Sequence, residues 1–442
     1  MKSGGYTYRL PIWFFSLALL MVVAGAVTVS AQVNGNLPPD LKALISEALE
    51  ANNDIKQMAN LKKASKEQIR PAGALEDPMI SFNLKDVPAD NWSMNQDGMT
   101  QKMFEVSQKF PFPGKRKLRS EVAASQAKAD DLTYQDKVNE IRAKVVQAYW
   151  GLSLAHTSFD LTNKNKQFWE QVVQITETRY GVGQGMQTDV LQAQVELGNY
   201  LDKLLQWQQR QESLAAELNA LRSKPAGSPI ARPQLLRPRP LSAKLEMLLN
   251  QADGRPQLQA LKVLVDKQSK AVELARKDYY PDLTVGVGYG LRQNYYDQQR
   301  SDLFSSSVSI NVPLWYNSKL RPRVREEEAR RQAAHDAYQS ALTQLNAAVK
   351  DRYVKLQRLE QQIKLFDKGV IPQAQQAVAA ALSAYQVGSL EFTRLYQNQI
   401  AAYDAEMKLQ EYLKDAEENW VELEWLVGQE LPREFGSKKS IQ

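Results

Sequence analysis

The chain carries three sequence motifs twice, in the same order and about 200 residues apart. The paired segments are 77–80 and 280–283, 110–111 and 312–313, and 179–183 and 384–388. Their offsets agree closely, at 203, 202 and 205 residues. Three motifs repeated at nearly one offset indicate a duplicated structural unit, so the fold must be built from two copies of one plan.

Each copy contains a helical stretch that is too long for an ordinary globular domain. Residues 115–180 contain no proline and one internal glycine, Gly151. At 1.5 Å per residue this helix would be about 100 Å long. The corresponding stretch, 319–385, is predicted to be interrupted or kinked near Gly369 and Pro372. Such uncapped lengths are typical of coiled coils rather than of a globular core.

Shorter helices complete each copy. The predicted first helices cover 41–69 and 256–277, and the predicted return helices cover 188–221 and 392–426. A Gly-containing break separates each long helix from its return helix. The long helices and their return helices are therefore expected to form antiparallel pairs.

Two strand-like runs follow the first helix of each copy. In the second copy, Phe304, Val308 and Ile310 alternate with serines, and an earlier run alternates apolar residues with Thr284 and three glycines. Period-two alternation places these sets on opposite faces of a sheet. Small polar and apolar faces match the lumen and lipid faces of a membrane barrel. The alternative is an ordinary half-buried sheet on a globular core.

The N-terminus has the composition of a secretory signal peptide. Lys2 and Arg9 precede an apolar run over 10–23, and small residues at 29–31 offer a cleavage site before Gln32. An uncleaved membrane anchor is the alternative, because residues 10–29 could nearly span a bilayer. No later run is apolar enough for a membrane helix, so a membrane-embedded form would have to be a closed barrel.

Composition excludes several classes of site. The chain has no cysteine, which excludes disulfides, thiolate metal sites and a lipid-modified N-terminal cysteine. The formal charge of +6 falls to about +4 without the signal peptide, and no basic cluster is interleaved with aromatic residues. Nucleic acid is therefore not an expected partner.

These patterns predict five segments along the chain. They are a signal peptide over 1–31, a first repeat over 32–222, a linker over 223–254, a second repeat over 255–430 and a flexible tail over 431–442. Five prolines between 225 and 240 favour a linker that wraps the outside of the body.

Four strands in one chain cannot enclose a channel, so several chains would have to share a barrel with closed rotational symmetry. Helices of about 100 Å far exceed the roughly 30 Å of a bilayer core. They would extend the channel as a tube across aqueous space. In a cell with two membranes, that space is the periplasm.

With these features the chain resembles the TolC family of outer-membrane efflux proteins. The resemblance rests on the paired Tyr-x-Val-Gly motifs, on Asp77-Pro78 and Tyr280-Pro281 before the strands, and on the Phe-Pro-Phe-Pro-Gly-Lys run at 110–115. That run is similar to the heavy-metal, CzcC-like branch. The resemblance covers roughly residues 40–430.

The resemblance implies a mainly α fold with a membrane β-barrel. It implies a homotrimer in which four strands per chain form a twelve-stranded barrel above an α-helical tunnel that projects from the outer membrane into the periplasm. It also implies docking onto a periplasmic adaptor and an inner-membrane pump of the RND type. The chain would be a passive exit duct without a cofactor, for heavy-metal cations or drugs.

In this family the two hairpin ends form the periplasmic mouth and meet the adaptor. The matching positions here are Tyr180, Val182, Gly183, Thr188, Tyr385, Val387, Gly388 and Ser389. Glycine suits such a turn because it tolerates positive φ and lets a partner backbone approach. The alternative is that both glycines only terminate helices.

The family's mouth is often narrowed by acidic side chains just after the second tip, and this chain departs from that pattern. Asp189 follows the first tip, but Arg394 occupies the corresponding place after the second, with Glu391 nearby. Pairs of Glu391 and Arg394 between chains could hold the mouth shut, so that breaking them lets the helices separate. The alternative is a solvated surface pair worth less than about 1 kcal/mol.

No residue pattern predicts an enzyme or a metal site. His156 and His335 lie in helical stretches without a partner arrangement, and no phosphate-binding or nucleophile motif is present. Met79, Met94, Met99 and Met103 cluster around the first strand pair. Thioethers bind Cu(I), but here they are interpreted as packing residues.

Two further functions stay open on the sequence. One is a type I protein-secretion duct, because the same channel would serve a different pump. The other is a periplasmic coiled-coil scaffold without a pore. A duct needs Phe304, Val308 and Ile310 exposed to lipid, whereas a scaffold would bury them.

Overall fold

Long helices dominate the computed structural model, which describes residues 37–234, 243–294 and 298–431. The longest helix has 67 residues, which corresponds to about 100 Å. The predicted signal peptide lies outside the described residues, as does the tail beyond residue 431. Part of the predicted linker, 235–242, is also outside them.

The first half contains five helices and two strands. They are α1 (Pro39–Ala51), α2 (Asn53–Glu67), α3 (Ile69–Gly73), β1 (Met79–Lys85), β2 (Gln101–Phe110), α4 (Lys115–Gly181) and α5 (Gln187–Leu221). In the second half follow α6 (Leu245–Ala252), α7 (Pro256–Lys277), β3 (Leu283–Leu291), β4 (Leu303–Ile310), α8 (Arg321–Leu365), α9 (Ile371–Gln386) and α10 (Phe392–Val427). The halves repeat one plan of helix, two strands, long helix and return helix, as predicted from the duplicated motifs.

The first helix departs from its prediction, because the expected helix over 41–69 is broken at Asn52. Asn52 has an extended ψ of 128° and caps α2: its Oδ1 accepts hydrogen bonds from the backbone N–H groups of Asp54, at 2.9 Å, and Ile55, at 3.3 Å. Its Nδ2 donates to the carbonyl of Leu221 at 2.8 Å. The prediction also missed α6, which falls inside the predicted linker.

The predicted interruption near Gly369 and Pro372 is confirmed. A five-residue π turn, Phe366–Val370, separates α8 from α9, and Pro372 follows at the start of α9. Proline has no N–H to donate to the preceding turn, so the helix cannot continue there in α geometry. A second π turn, Tyr316–Leu320, leads into α8.

Three apolar clusters of the described residues hold the helices together, the smallest of them around Ala129, Ala260 and Val263 between α4 and α7. One of the two larger clusters gathers residues of α6, α7, α8 and α10, with Val349, Trp420 and Leu423 almost fully buried. The other lies toward the helix ends and gathers residues of α4, α5, α9 and α10 around Trp169 and Leu395. No helix within the described ranges is both long and apolar enough to cross a membrane.

The four strands form one antiparallel sheet in the order β1-β2-β3-β4. Phe82 pairs with Phe104, Phe104 with Tyr289, and Tyr289 with Phe304, so one row of aromatic residues crosses the whole sheet. Strands β1 and β4 are the two edges of this sheet within the chain. The prediction of a mainly α fold with four strands per chain is therefore confirmed.

Candidate functional site

One face of the sheet is apolar and uncovered by the rest of the chain. The predicted lipid-facing residues are strongly exposed: Phe304 at 74%, Val308 at 71% and Ile310 at 59%. The register places them beside the other exposed apolar residues of the same face, which are Ile80, Phe82, Leu84, Phe104, Val106, Phe110, Leu283, Val285, Val287, Tyr289 and Leu291. The sheet therefore does not lie with its apolar side on a globular core of this chain.

The opposite face is narrow, polar and closely packed. Gly286 faces Ser307 and Glu105 so closely that a Cβ atom would lie 2.5 Å from the Ser307 Oγ and 2.8 Å from the Glu105 Oε1. A Cβ atom on Gly288 would lie 2.5 Å from the Met103 Cε. A larger residue at either glycine would therefore have to displace these side chains, and the small polar face predicted from the alternation is observed.

The methionines around the first strand pair do not converge. Met103 is buried against Gly288, whereas Met79 is 66% exposed. Their cross-strand partners are Asn83 and Ser107, respectively. Met103 therefore packs as a filler of the sheet.

The two hairpin tips have the same backbone turn. Gly183 and Gly388 adopt left-handed conformations with φ of +74° and +80°. In the first tip the Gln184 N–H donates to the Arg179 carbonyl at 2.8 Å, and in the second the Ser389 N–H donates to the Ala384 carbonyl at 3.0 Å. These are the 6→1 bonds of a helix end closed by glycine, so each glycine terminates its helix, whatever else it contacts.

The two tips differ in their side chains, although their backbones match. Tyr180 is 49% exposed, whereas its counterpart Tyr385 is 2% exposed. Arg179 covers the Tyr385 ring with its guanidinium, 4.6 Å from the ring centroid. The same guanidinium donates hydrogen bonds to the Tyr385 carbonyl and, at 2.9 Å, to the Gln184 carbonyl. Arg179, which the sequence reasoning missed, therefore ties the two tips together.

The burial of Tyr385 distinguishes it from the other residues predicted to contact an adaptor. Its side chain packs inside this chain and offers little surface to a partner. The other seven predicted tip residues are exposed: Tyr180, Val182, Gly183, Thr188, Val387, Gly388 and Ser389. Val182 and Val387 are 64% and 79% exposed, so apolar surface projects from both tips.

The predicted gate residues are not gathered into one cluster within the chain. The Tyr385 hydroxyl donates a hydrogen bond to the Asp189 carboxylate at 3.4 Å. Burial, assisted by the charge of Asp189, raises the pKa of Tyr385 to about 12, so this hydroxyl keeps its proton. Glu391 and Arg394 are exposed, and neither takes part in an ion pair with another described residue.

At the base of the sheet, the Phe-Pro-Phe-Pro-Gly-Lys run at 110–115 contacts the Tyr280-Pro281-Asp282 segment. The Lys115 ammonium, 3% exposed, lies 2.8 Å from the Asp282 carboxylate and donates to the Tyr280 carbonyl at 3.1 Å. Asp282 also accepts a hydrogen bond from the Phe112 N–H at 2.9 Å. Asn311, which follows β4, accepts from the Asp282 N–H. The end of β2, the starts of α4 and β3 and the end of β4 thus meet at this junction.

Aromatic stacking reinforces the same junction. Phe112 and Tyr280 stack with their ring centroids 4.5 Å apart, and the Lys277 ammonium lies 5.5 Å from the Phe112 centroid. Gly114 turns the chain into α4 with φ of +92°. The sequence analysis identified both motifs but did not predict that they are in contact. The opposite charges at their ends, Lys115 and Asp282, could have indicated that contact.

No group of three or more metal-ligating side chains is arranged to hold an ion in the parts of the chain that the structure describes. His335 is exposed. His156 is half-buried, and burial together with the nearby Arg232 charge lowers its pKa, so it is neutral at pH 7. The predicted functional residues lie instead in the sheet and the two tips.

Paired helical hairpins of this length beneath a small antiparallel sheet define the fold of outer-membrane channels. The structure resembles the outer-membrane channel OprN with a TM-score of 0.77, at 16% identity, over 88% of this chain and 90% of that one. It resembles the outer membrane protein VceC from Vibrio cholerae with a TM-score of 0.76, at 21% identity, over 88% and 96% of the two chains.

The chain belongs to the outer membrane efflux protein family, whose model matches residues 44–222 and 248–429. Membership confirms the predicted family and outer-membrane location. It also agrees with the prediction that the chain is not an enzyme, because the family is one of transport proteins. The two matched regions correspond to the two copies of the duplicated unit.

Three curated relatives are similar in sequence. The chain is 26% identical to the fusaric acid resistance protein FusA of Burkholderia cepacia over 48% of this chain and 41% of FusA. It is 22% identical to the alkaline protease secretion protein AprF of Pseudomonas aeruginosa over 69% and 64% of the two chains. It is 22% identical to the cobalt-zinc-cadmium resistance protein CzcC of Cupriavidus metallidurans over 84% and 85%. The match thus spans less than two thirds of FusA and of AprF.

Proposed function

We propose that this protein is the outer-membrane exit duct of a tripartite efflux system. The observation that carries the proposal is the exposed apolar face of a sheet attached to helices of about 100 Å. Strands β2 and β3 have 10 and 9 residues, the length of a strand that spans a bilayer at a tilt. The small polar face would line the lumen.

A homotrimer is the assembly that the open sheet favours. Within the chain, β1 and β4 each leave one row of backbone groups without a strand partner. Lipid offers no hydrogen bonds, so these edges must pair with other chains. Three copies joined edge to edge would form a closed barrel of twelve strands, and the helices would continue it as a tunnel into the periplasm.

The exposed tips are the proposed contacts with a periplasmic adaptor. Val182 and Val387 present apolar side chains beside Gly183 and Gly388, where a partner backbone can approach. The adaptor would connect the duct to an inner-membrane pump of the RND type, which would supply the energy. Tyr385 is buried beneath the tip, where it packs against Arg179, and it would support the tip without contacting the adaptor.

The proposed gate involves Asp189, Glu391 and Arg394. Asp189 is held by Tyr385 within the chain, whereas Glu391 and Arg394 are exposed and available to a neighbouring chain. Ion pairs between chains at these two positions would keep the mouth closed, and their loss would let the hairpins separate.

The cargo is proposed from the relatives alone. CzcC and FusA carry the names of cobalt-zinc-cadmium and fusaric acid resistance, which favours small cations or small organic compounds. The match to AprF, a protease secretion protein, supports a second candidate, a type I protein-secretion duct. A scaffold without a pore is disfavoured because it would bury the apolar face that is exposed here.

Planar-bilayer conductance of the purified mature protein, together with its native mass, tests the duct. A trimer that gives long-lived single-channel steps is the expected result. A monomeric species that needs no detergent and gives no conductance would reject the duct in favour of the scaffold. The gate is tested separately with Arg394→Ala, which should raise the open probability of the trimer, whereas an unchanged open probability would reject the gate.

A further inference from the structure

Beyond the last residue of β4, the exposed apolar surface continues into the segment that leads to α8. Val312, Leu314 and Trp315 are 61%, 68% and 69% exposed, and Tyr316 is 44% exposed. Large aromatic side chains are seldom left this open to water, and Trp and Tyr concentrate where a membrane meets water. Trp92 is 73% exposed in the connection at the opposite end of the sheet.

A group of exposed cations follows immediately. Lys319, Arg321 and Arg325 are exposed, and none of them forms an ion pair with a carboxylate in the described part of the chain. The neighbouring arginines are different, because Arg323 and Arg330 both pair with Glu326 and Glu327. In the first two turns of α8 and the π turn before it, Lys319, Arg321 and Arg325 are thus the cations whose charge no described carboxylate neutralises.

Two of these cations share one groove. Arg321 and Arg325 are four residues apart, so they lie on the same face of α8, one turn from each other. They line an open groove with Asn317, Val324 and Tyr279. Tyr279 stacks on Tyr316 with their ring centroids 5.8 Å apart, so an aromatic wall joins the groove to the exposed segment before it.

We propose that this groove binds the headgroup of an anionic phospholipid in the periplasm-facing leaflet of the outer membrane. The order along the chain is apolar face, aromatic residues, cations, which matches the order of hydrocarbon, interface and phosphate in a leaflet. Two guanidinium groups on one helix face suit a phosphate, because each can donate two hydrogen bonds to it. Asn317 adds a neutral donor.

This inference rests on the proposed function, since the groove meets a leaflet only if the sheet is in the membrane. The proposed site adds a preference for anionic phospholipids, which the function of a passive duct does not require. The headgroup would fix the height of the barrel in the membrane and would hold the start of α8 at the interface.

Lipid titration of the purified trimer tests the site. Binding of phosphatidylglycerol and phosphatidylcholine with the same acyl chains is measured for the wild type and for Arg321→Gln/Arg325→Gln. The wild type should prefer phosphatidylglycerol, and the double variant should bind it roughly 30-fold more weakly, as expected for two cations near a charged leaflet. Raising the salt should reduce the wild-type preference.

Arg323→Gln/Arg330→Gln is the matched control, because it removes the same charge from the same helix at paired positions. It should bind phosphatidylglycerol as the wild type does. Equal affinity of the wild type for both lipids, or an equal loss in the control, would overturn the proposal. Displacement of the lipid by millimolar inorganic phosphate would overturn it in favour of a free-phosphate site.

Conductance measured in bilayers of phosphatidylcholine alone distinguishes failure of the headgroup site from failure of the proposed duct. Channels in that lipid without a preference for phosphatidylglycerol would reject the headgroup site and leave the duct intact. Absence of channels from both the wild type and Arg394→Ala would reject the duct itself. Trp315→Ala provides a second measurement, since loss of the aromatic anchor should weaken binding of both lipids alike.

Discussion

At the scale of single residues, Arg179 determines how the two hairpin tips are held. Its guanidinium lies on the Tyr385 ring and donates to carbonyls of both tips. Hydrogen bonds to a charged group contribute about 1.5–3 kcal/mol each, and a partly buried cation–π contact adds about 1 kcal/mol. The tips are thus coupled by one side chain.

Arg179→Ala should therefore loosen both tips together. Backbone amides in 180–190 and 384–391 should exchange about 10-fold or more faster with solvent, because the opened form costs less free energy. Hydrogen exchange followed by mass spectrometry measures this. Arg210→Ala on α5 is the control, since Arg210 is exposed, and it should leave exchange unchanged. Unchanged exchange in Arg179→Ala would show that the helix ends hold the tips unaided.

Lys115 and Asp282 play the corresponding part at the base of the sheet. Burial acts to raise the pKa of Asp282, but the hydrogen bond from Lys115 and that from the Phe112 N–H outweigh it and lower the pKa overall. A carboxyl whose pKa is lowered by folding stabilises the folded state above its ordinary pKa of about 4. That stabilisation is lost as the pH falls through the lowered value.

Asp282→Asn should destabilise the protein by about 1–3 kcal/mol at pH 7, because the buried Lys115 ammonium loses its nearest anion and keeps only Asp278, at 3.5 Å. The difference from the wild type should shrink as the pH falls below about 4, where the carboxyl of the unfolded chain takes up a proton, and further as the pH falls through the lowered pKa of the folded state. Apparent melting temperatures in detergent between pH 7 and pH 3 measure both effects. Lys115→Met/Asp282→Leu should cost less than the single change, and a constant difference across the pH range would contradict this role.

At the scale of secondary-structure elements, the body depends on where its helices begin and end. Asn52 breaks the first helix, caps α2 and also reaches the last residue of α5. One side chain thus sets the direction of α2 along α4 and ties it to the return helix. The π turn at 366–370 has the same role between α8 and α9, where it lets the helix pass Pro372.

Asn52→Ala should lower the free energy of unfolding by about 1–2 kcal/mol, because the first N–H groups of α2 lose their acceptor. The neighbouring Asn53 is exposed within α2 and provides the control. Asn53→Ala should change stability by less than about 0.5 kcal/mol. Urea unfolding followed by circular dichroism distinguishes the two variants, and equal effects would argue against the cap.

At the scale of the whole molecule, the sheet presents one apolar and one polar face, and the proposed membrane insertion depends on that division. Val308 and Ser309 are adjacent in β4 and lie on opposite faces. Placing the same charged residue at each position therefore compares the apolar face with the polar face at nearly the same depth in the membrane.

Val308→Lys should destabilise the inserted barrel by about 2–4 kcal/mol, as charged residues do on a lipid-facing surface near the bilayer centre. Ser309→Lys should be tolerated and should instead shift the channel toward anions, because it adds positive charge to the lumen. Flotation of reconstituted vesicles measures insertion, and reversal potentials measure selectivity. Similar insertion of both variants would contradict the assignment of the faces.

Features that depend on neighbouring residues could be predicted from the sequence. The helix and strand periods, the glycine turns at 183 and 388 and the interruption before Pro372 all follow from local backbone preferences. The duplicated motifs predicted the order of elements, and the predicted bounds of α5, α7 and α10 differ from the observed ones by no more than one residue. The break at Asn52 was missed because its apolar period continues across the cap.

The sequence by itself determined the periods, the turns and the division of the sheet into two faces, because each is written in residues a few positions apart. Only the tertiary structure decided which Tyr of the duplicated tips is buried, and which charges meet at the base of the sheet. Arg179 and Tyr385 are 206 residues apart, and Lys115 and Asp282 are 167 apart. Contacts over such separations depend on how the two copies pack, and two nearly identical motifs therefore acquire different environments.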